Sequence, residues 1–337
     1  MYKLKERGMG KLTVSLACCN YDRTRALFDG TVGVDGCDVI ASEMSPEEAF
    51  HRAFKYEEFD ITELSMSSYM NVQSRGGSPY IGIPAFVSRL FRHSSIYIRT
   101  DRGIEKPEDL AGKTIGVPEY QMTAALWVRG ILEDEYGVKA SSIHWRNGGL
   151  EEGGREERAP LHLPDEIDLQ SIPTDQTLAE HLDEGKVDAV ISARAPSSYY
   201  TNDNIERLFP DYKSAEQAYY SKTSMFPIMH MIGIKRSIVE KHPWLPVNVY
   251  VAFLKAKQLC YDEMVQVGHL AHTMPWPVYE LEQVRKLMGD DHWKYGAIEN
   301  EKEISAMTRY SFDQGISARK LEAEDIFAES TFELFKL

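Results

Sequence analysis

The sequence predicts an α/β protein with a helical C-terminal segment, long enough to form two lobes. Three observations support this. The chain has 337 residues, 43% of them hydrophobic and 27% charged, which suits a globular protein with substantial cores. Short apolar runs bounded by Gly, Pro, Ser and Asp alternate with helical patterns as far as Ile234. The stretch Lys106–Gly137, KPEDLAGKTIGVPEYQMTAALWVRGILEDEYG, sets an acidic turn, a strand and a long helix in order.

Lys11 to Cys18 reads as the first strand, with an exit at Asn20-Tyr21-Asp22-Arg23-Thr24-Arg25 where a helix is expected. Ligands of open α/β sheets sit beyond the carboxyl ends of the strands. Arg23 and Arg25 therefore stand where forked donors meet a carboxylate, the plainer alternative being a cap by Asp22 or Thr24. Cys37 to Met44 is the second strand, and Ser45-Pro46-Glu47-Glu48 opens a helix with a capping hydroxyl and Pro in the first turn. Phe59 to Leu64 is the third strand, ending at Ser65-Met66-Ser67-Ser68, where the hydroxyls either cap a helix or face a ligand. Tyr80 to Pro84 is a short fourth strand. A loop with Arg92 and His93 among aromatic residues follows it, a pocket for an aromatic acid or else solvated surface. Ile96 to Arg99 is a strand, and Asp101 to Asp109 is expected to cross into the second lobe.

Pro107-Glu108-Asp109-Leu110 suits a first helical turn, where free N–H groups favour negative charge. Lys113 to Val117 is a buried strand, and the helix after Pro118 places Leu126, Val128, Ile131 and Leu132 on an apolar face. The junction carries Glu119, Tyr120, Gln121 and Thr123, and its free N–H groups make a seat for a carboxylate. Ile143 to Asn147 is a strand holding Arg146, and Gly148 to Asp168, rich in Gly and Glu, reads as an exposed excursion outside the site. Ile167 to Pro173 is a strand, Thr174-Asp175-Gln176-Thr177 caps a helix through Glu184, and Val187 to Ser192 is a buried strand that ends beside Arg194. Phe226 to Ile234 returns the chain to the first lobe with His230 near the crossover. The lobes are thus expected at 1–105 with 226–337, and at 106–225. Beyond Ser237 the pattern is mostly helical, with a polar, aromatic turn at Gly289–Gly296 that contains Asp291.

The net charge of −14 argues against nucleic acid or an anionic membrane as the main partner, so an anionic ligand needs local positive charge. The N-terminal stretch MYKLKERGMGKLTVSL has no apolar run of signal-peptide length, and four cysteines do not form a disulfide framework. A cytoplasmic chain with free thiols is expected. No phosphate loop, Cys-pair zinc pattern or nucleophile elbow occurs. His269 with His272, and Asp290-Asp291-His292, are fragments of a metal pattern and no more. Subunit-interface helices and core-covering helices read alike, so the C-terminal segment leaves a homo-oligomer open.

"PEDLAGKTIGV" resembles the domain-entry segment of type II periplasmic-binding-protein folds, two α/β lobes with a ligand cleft between them. The strings "CNYDRTRAL", "ELSMSSYM", "FRHSSIYIR", "GVPEYQMTAALWVRGIL", "PTDQTL", "FPIMH" and "GDDHWKYG" resemble, more narrowly, the 4,5-dihydroxyphthalate decarboxylase family. The resemblance implies cofactor-free decarboxylation of a hydroxylated aromatic dicarboxylate, with a divalent metal left open. It also implies a carboxylate clamp, a proton donor near the ring carbon and a partner for the phenol. The expected donor is His230 or His93, with Glu119 accepting a hydroxyl proton. Arg23, Arg25 and Arg92 are the expected first-lobe carboxylate binders, and Arg146 and Arg194 the second-lobe grip. Asn20, Tyr21, Ser65, Ser67, Tyr120, Gln121, Thr123 and Asp291 complete the expected substrate contacts. The alternatives are a non-catalytic solute-binding protein for a small organic anion, and a decarboxylase of another hydroxybenzoate.

Overall fold

The first sheet is laid on β1 (Leu12–Cys18), whose inward residues Val14, Leu16 and Ala17 are buried. The computed structural model describes residues 10–270 and 273–332, so His272 and both extreme termini lie outside it. β2 (Cys37–Glu43) and β3 (Ile61–Ser65) pair with β1 in parallel, one on each side. The helix expected after β1 is a single turn, α1 (Arg25–Phe28). α2 (Pro46–Tyr56) begins as the sequence predicts, with Ser45 Oγ accepting from Glu48 N at 3.4 Å. α3 (Met66–Ser74) grows directly out of β3.

β4 (Tyr80–Arg89) runs past the expected end at Pro84. Phe86–Arg89 is strand rather than charged loop because Arg89 turns into the core. There its guanidinium donates to the carbonyls of Phe226 and Lys294 and to Asn300, with Glu303 3.5 Å away. β5 (Ile96–Arg99) already belongs to the second sheet, so the chain changes lobes between β4 and β5, upstream of the expected boundary after residue 105.

The second sheet adds β6 (Thr114–Val117), β7 (His144–Asn147), β8 (Leu169–Ser171), β9 (Ala189–Ile191) and β10 (Ile205–Arg207), in the order β10-β5-β9-β6-β7-β8. Its helices are α4 (Thr123–Tyr136), α5 (Leu178–Asp183) and α6 (Tyr212–Thr223). α5 opens on a reciprocal cap between Thr177 and Glu180. β11 (Ile228–Lys235) then inserts antiparallel between β3 and β4, giving the first sheet the order β2-β1-β3-β11-β4. α7 (Arg236–Val239), α8 (Leu245–Met264), α9 (Pro277–Met288) and α10 (Glu301–Asp313) complete the first lobe.

α4 ties the lobes together. Its residues Thr123–Leu132 are all buried, and Trp127 donates its indole N–H to Ile228 O of β11 at 2.8 Å. Gly130 lets α10 come close: a Cβ there would meet the Tyr310 ring at 2.4 Å. Arg129 is buried with it, donating to Gln314 Oε1 and Tyr120 O at 2.7 Å each. One apolar core therefore runs from β1 through β11 and α4 into α8 and α10.

Among the described residues no helix is long and apolar enough to cross a membrane. All four cysteines are free thiols. Among the described residues no group of three or more His, Cys, Asp or Glu side chains is arranged to hold a metal ion.

Candidate active site

The end of β3 meets the start of α4, and the carboxyl ends of β6 and β9 face the first turn of α2 across a cleft between the lobes. At its first-lobe wall Glu63, in the middle of β3, is fully buried. A buried carboxylate must be paired to persist. Glu63 accepts from His230 Nδ1 at 2.7 Å, from Tyr21 Oη at 2.8 Å and from Cys19 N at 2.9 Å. Burial pushes its carboxyl up, but the hydrogen bond and charge of His230 and the donors Cys19 and Tyr21 outweigh that, so Glu63 stays below the ordinary carboxyl range. Tyr21 is driven well above the usual phenol range, first by burial and then by Glu63, and remains a donor.

His230 sits at an irregularity where the β11–β4 register shifts on both sides of it. Such bulges re-aim a side chain. The imidazole packs edge-on against Phe50 of α2, with centroids 4.8 Å apart. Glu63 holds Nδ1, which leaves Nε2 as the nitrogen able to exchange a proton with a ligand.

The second-lobe wall brings guanidinium groups. Arg155 Nε and Nη2 reach Glu119 Oε1 at 2.7 and 2.6 Å, and Arg158 Nη2 reaches the same oxygen at 3.0 Å. Arg158 also lies over the Phe50 ring, 5.2 Å from its centroid. Thr123 Oγ1 meets Ser65 Oγ at 3.0 Å and accepts from Ser67 N at 3.1 Å, closing the floor between the lobes.

The structure thus brings together Tyr21, Ser65, Ser67, Glu119, Thr123 and His230. Asn20 stands at the exit of β1, bonded to Glu43 at 3.1 Å. Arg194 is exposed at the cleft mouth, 3.5 Å from Glu47. Arg23 borders the site through Tyr21, but Nε is bonded to Val87 O at 2.8 Å and its guanidinium lies 3.9 Å over the Trp293 ring. It lines a separate apolar cavity of about 500 Å³ beneath α8 and α9.

The other expected residues lie elsewhere. Arg25 is exposed on α1 and 3.9 Å from Glu263 of α8. Arg92 is buried behind β11, with Nε 3.2 Å from Met229 Sδ, and burial pushes it down to about 10. His93 is buried between Phe209 and Tyr219, and burial pushes it down to about 4, so it is uncharged at neutral pH. Arg146 donates to Trp145 O at 2.7 Å and faces Asp168, while Asp291 pairs with Lys257 at 2.7 Å in the C-terminal segment. Tyr120 is buried in the second lobe under Arg129, its ring centroid 3.8 Å from the guanidinium carbon.

The carboxylate seat expected at the start of α4 is filled from within the chain. Glu157 accepts from Tyr120 N, from Gln121 N at 3.2 Å and from Gln121 Nε2 at 2.9 Å. Residues 149–158 therefore line the cleft, against the expectation that the Gly148–Asp168 segment lies outside the site, while residues 151–154 are exposed as expected. Its glycines explain the course: a Cβ on Gly149 would strike Glu152 O and one on Gly153 would strike Thr174 O, and Gly154 has φ +77°. Sequence reasoning missed Glu63, Arg155 and Arg158. For Glu63 a signal was present, a carboxylate next to Leu64 inside the expected strand Phe59–Leu64.

No family model matches the chain. The chain is 43% identical over 330 residues to the 4,5-dihydroxyphthalate decarboxylase of Comamonas testosteroni, covering 98% of this chain and 100% of that protein. It is 48% identical over 217 residues to the Pseudomonas putida protein of the same name, covering 64% of this chain and 84% of that one. Among solved structures, the periplasmic aliphatic sulphonate binding protein SsuA of Escherichia coli superposes with TM-score 0.52 at 11% identity, covering 95% of this chain and 99% of its own. A DszB mutant in complex with biphenyl-2-sulfinic acid superposes with TM-score 0.52 at 12% identity, covering 96% and 98%. These two show that the fold is the two-lobed, periplasmic-binding-protein-like one.

Proposed function

The chain belongs to the 4,5-dihydroxyphthalate decarboxylase family, and we propose that its cleft converts 4,5-dihydroxyphthalate to protocatechuate and carbon dioxide with His230 as the proton donor. It is a carboxy-lyase, as the family is. The observation that carries the assignment of the donor is the buried Glu63 carboxylate fixing Nδ1 of His230, whose side chain is partly exposed.

The reaction needs a proton at the ring carbon bearing the departing carboxylate. The phenol para to that carbon feeds electrons into the ring as His230 Nε2 delivers its proton, and the carbon becomes tetrahedral. The carbon–carboxylate bond then breaks, its electron pair restores aromaticity, and carbon dioxide leaves. His230 regains a proton from solvent, so the net change is one proton taken up per carbon dioxide released. Glu63 stabilises the imidazolium and fixes its orientation, and Tyr21 and Cys19 N keep Glu63 ionised by hydrogen bonding. Two guanidinium groups hold Glu119, so we assign it to positioning Arg155 and Arg158 rather than to taking the phenol proton. Arg155, Arg158 and Arg194 supply local donors for an aromatic dianion in a chain of net charge −14.

The free thiols favour a reducing, cytoplasmic setting. Purified protein incubated with 4,5-dihydroxyphthalate should release carbon dioxide and protocatechuate in equal amounts, with other hydroxybenzoates slower. Binding without release would support the solute-binding reading and defeat this one.

A further inference from the structure

Glu47 stands in the first turn of α2, on the first lobe, yet its two nearest charged partners belong to the second. Arg155 Nη2 lies 3.6 Å from Glu47 Oε1, and Arg194 Nη2 lies 3.5 Å from Glu47 Oε2. Both separations exceed those of charge-assisted hydrogen bonds. The Arg194 side chain is 72% exposed, and ion pairs at such positions hold weakly. Arg155 is anchored from behind by Glu119, which aims it while leaving Nη1 unused in that pair. Between these groups is a cavity of about 410 Å³ lined by Glu47, Pro118, Met122, Arg155 and Arg194, with Glu151 and Glu152 also on its wall. Its size suits a small aromatic acid, and Pro118 and Met122 offer an apolar face to a ring. Met122 adjoins Thr123, which touches Ser65, and Ser65 is the cross-strand partner of His230. A second cavity shares Glu47 and Arg155 with this one and is lined also by Phe50, whose ring packs against His230 with centroids 4.8 Å apart.

We propose that Arg155 and Arg194 form the receptor for the retained carboxylate of the substrate, and that Glu47 occupies this receptor as an internal carboxylate until substrate displaces it. The proposal rests on the decarboxylase reading and gives it a specificity element. An aromatic dianion presents one carboxylate to the arginine pair and the other near His230, whereas a monoanion forfeits one of the two. Glu47 sets a threshold for entry, because only a ligand that also gains from ring contact and a second carboxylate outcompetes a tethered one.

The test is titration calorimetry with phthalate, which has both carboxylates but lacks the hydroxyls that drive turnover. Glu47→Gln should tighten phthalate by about threefold to fivefold, the scale of an exposed ion pair. Arg194→Gln should loosen it by a similar factor, and in the double variant the gain from Glu47→Gln should shrink, because only the Arg155 contact remains to be freed. Unchanged or weaker binding by a folded Glu47→Gln protein overturns the proposal. So does an equal gain with and without Arg194, which would mark a general charge effect. If Glu47→Gln does not fold, Arg194→Gln decides alone, and unaltered phthalate affinity overturns the idea. Phthalate binding is scored without turnover, so absent carbon dioxide release from 4,5-dihydroxyphthalate would defeat the catalytic reading and leave this result standing.

Discussion

Replacing Glu63 by Gln probes the site at its most constrained point. The carboxylate accepts four hydrogen bonds, from His230 Nδ1 at 2.7 Å, Tyr21 Oη at 2.8 Å, Cys19 N at 2.9 Å and Cys18 Sγ at 3.4 Å. Gln is nearly isosteric, but its amide has one acceptor oxygen and a donor NH₂, so at least one of these donors meets another donor. The charged hydrogen bond to imidazolium is worth about 1.5–3 kcal/mol. If that stabilisation is expressed where His230 carries its proton toward the ring, its loss slows turnover by roughly 10-fold to 150-fold. Carbon dioxide release under saturating 4,5-dihydroxyphthalate measures this, with phthalate affinity expected to stay within about threefold. The pH dependence has a definite sign. The folded-state pKa of Glu63 is lowered from its ordinary 4.5, so its contribution to stability is present above that value and is lost as pH falls through the lower folded one. Any stability advantage of the wild type over Glu63→Gln in thermal melts should therefore shrink below pH 4.5. Full turnover in the variant would refute the reasoning, because the donor would not need its anchor.

Two further changes separate scaffold from chemistry. His93→Asn should leave turnover within about twofold, because a histidine pushed down to about 4 is uncharged at working pH and sits away from the cleft. Its lowered pKa means the wild type loses stability as pH falls from 6.5 to about 4, a loss of about 3 kcal/mol at most that melts of the variant should lack. Gly130→Ala drives a methyl into the Tyr310 ring where 2.4 Å is available, so the melting temperature should fall by several degrees, about 1–3 kcal/mol, with the Michaelis constant unchanged.

Much of the fold was legible where punctuation is local. The Ser45-Pro46-Glu47-Glu48 start of α2 and the Thr174-Asp175-Gln176-Thr177 cap of α5 are read from four residues each, and the structure starts both helices there. What the sequence hid depends on partners far along the chain. Arg89 reads as a solvated loop residue until Asn300 and Glu303, brought over by α10, take it into the core, and that is why β4 continues past Pro84. The Gly- and Glu-rich segment carries the composition of exposed loop, yet Glu119 draws Arg155 and Arg158 down onto the cleft. β10 and α6 lack the periodicity that reveals longer elements, and nothing in the local pattern marked them. His230 was placed by its position at the return crossover, and Glu63 gives it a chemical reason to be there.

The most direct measurement is the rate of carbon dioxide release by His230→Asn, with phthalate affinity determined on the same preparation. Loss of a positioned general acid predicts a fall in turnover of about 100-fold or more, with affinity changed by less than about threefold. Turnover equal to the wild type at unaltered affinity would contradict the account and place the proton donor on another residue.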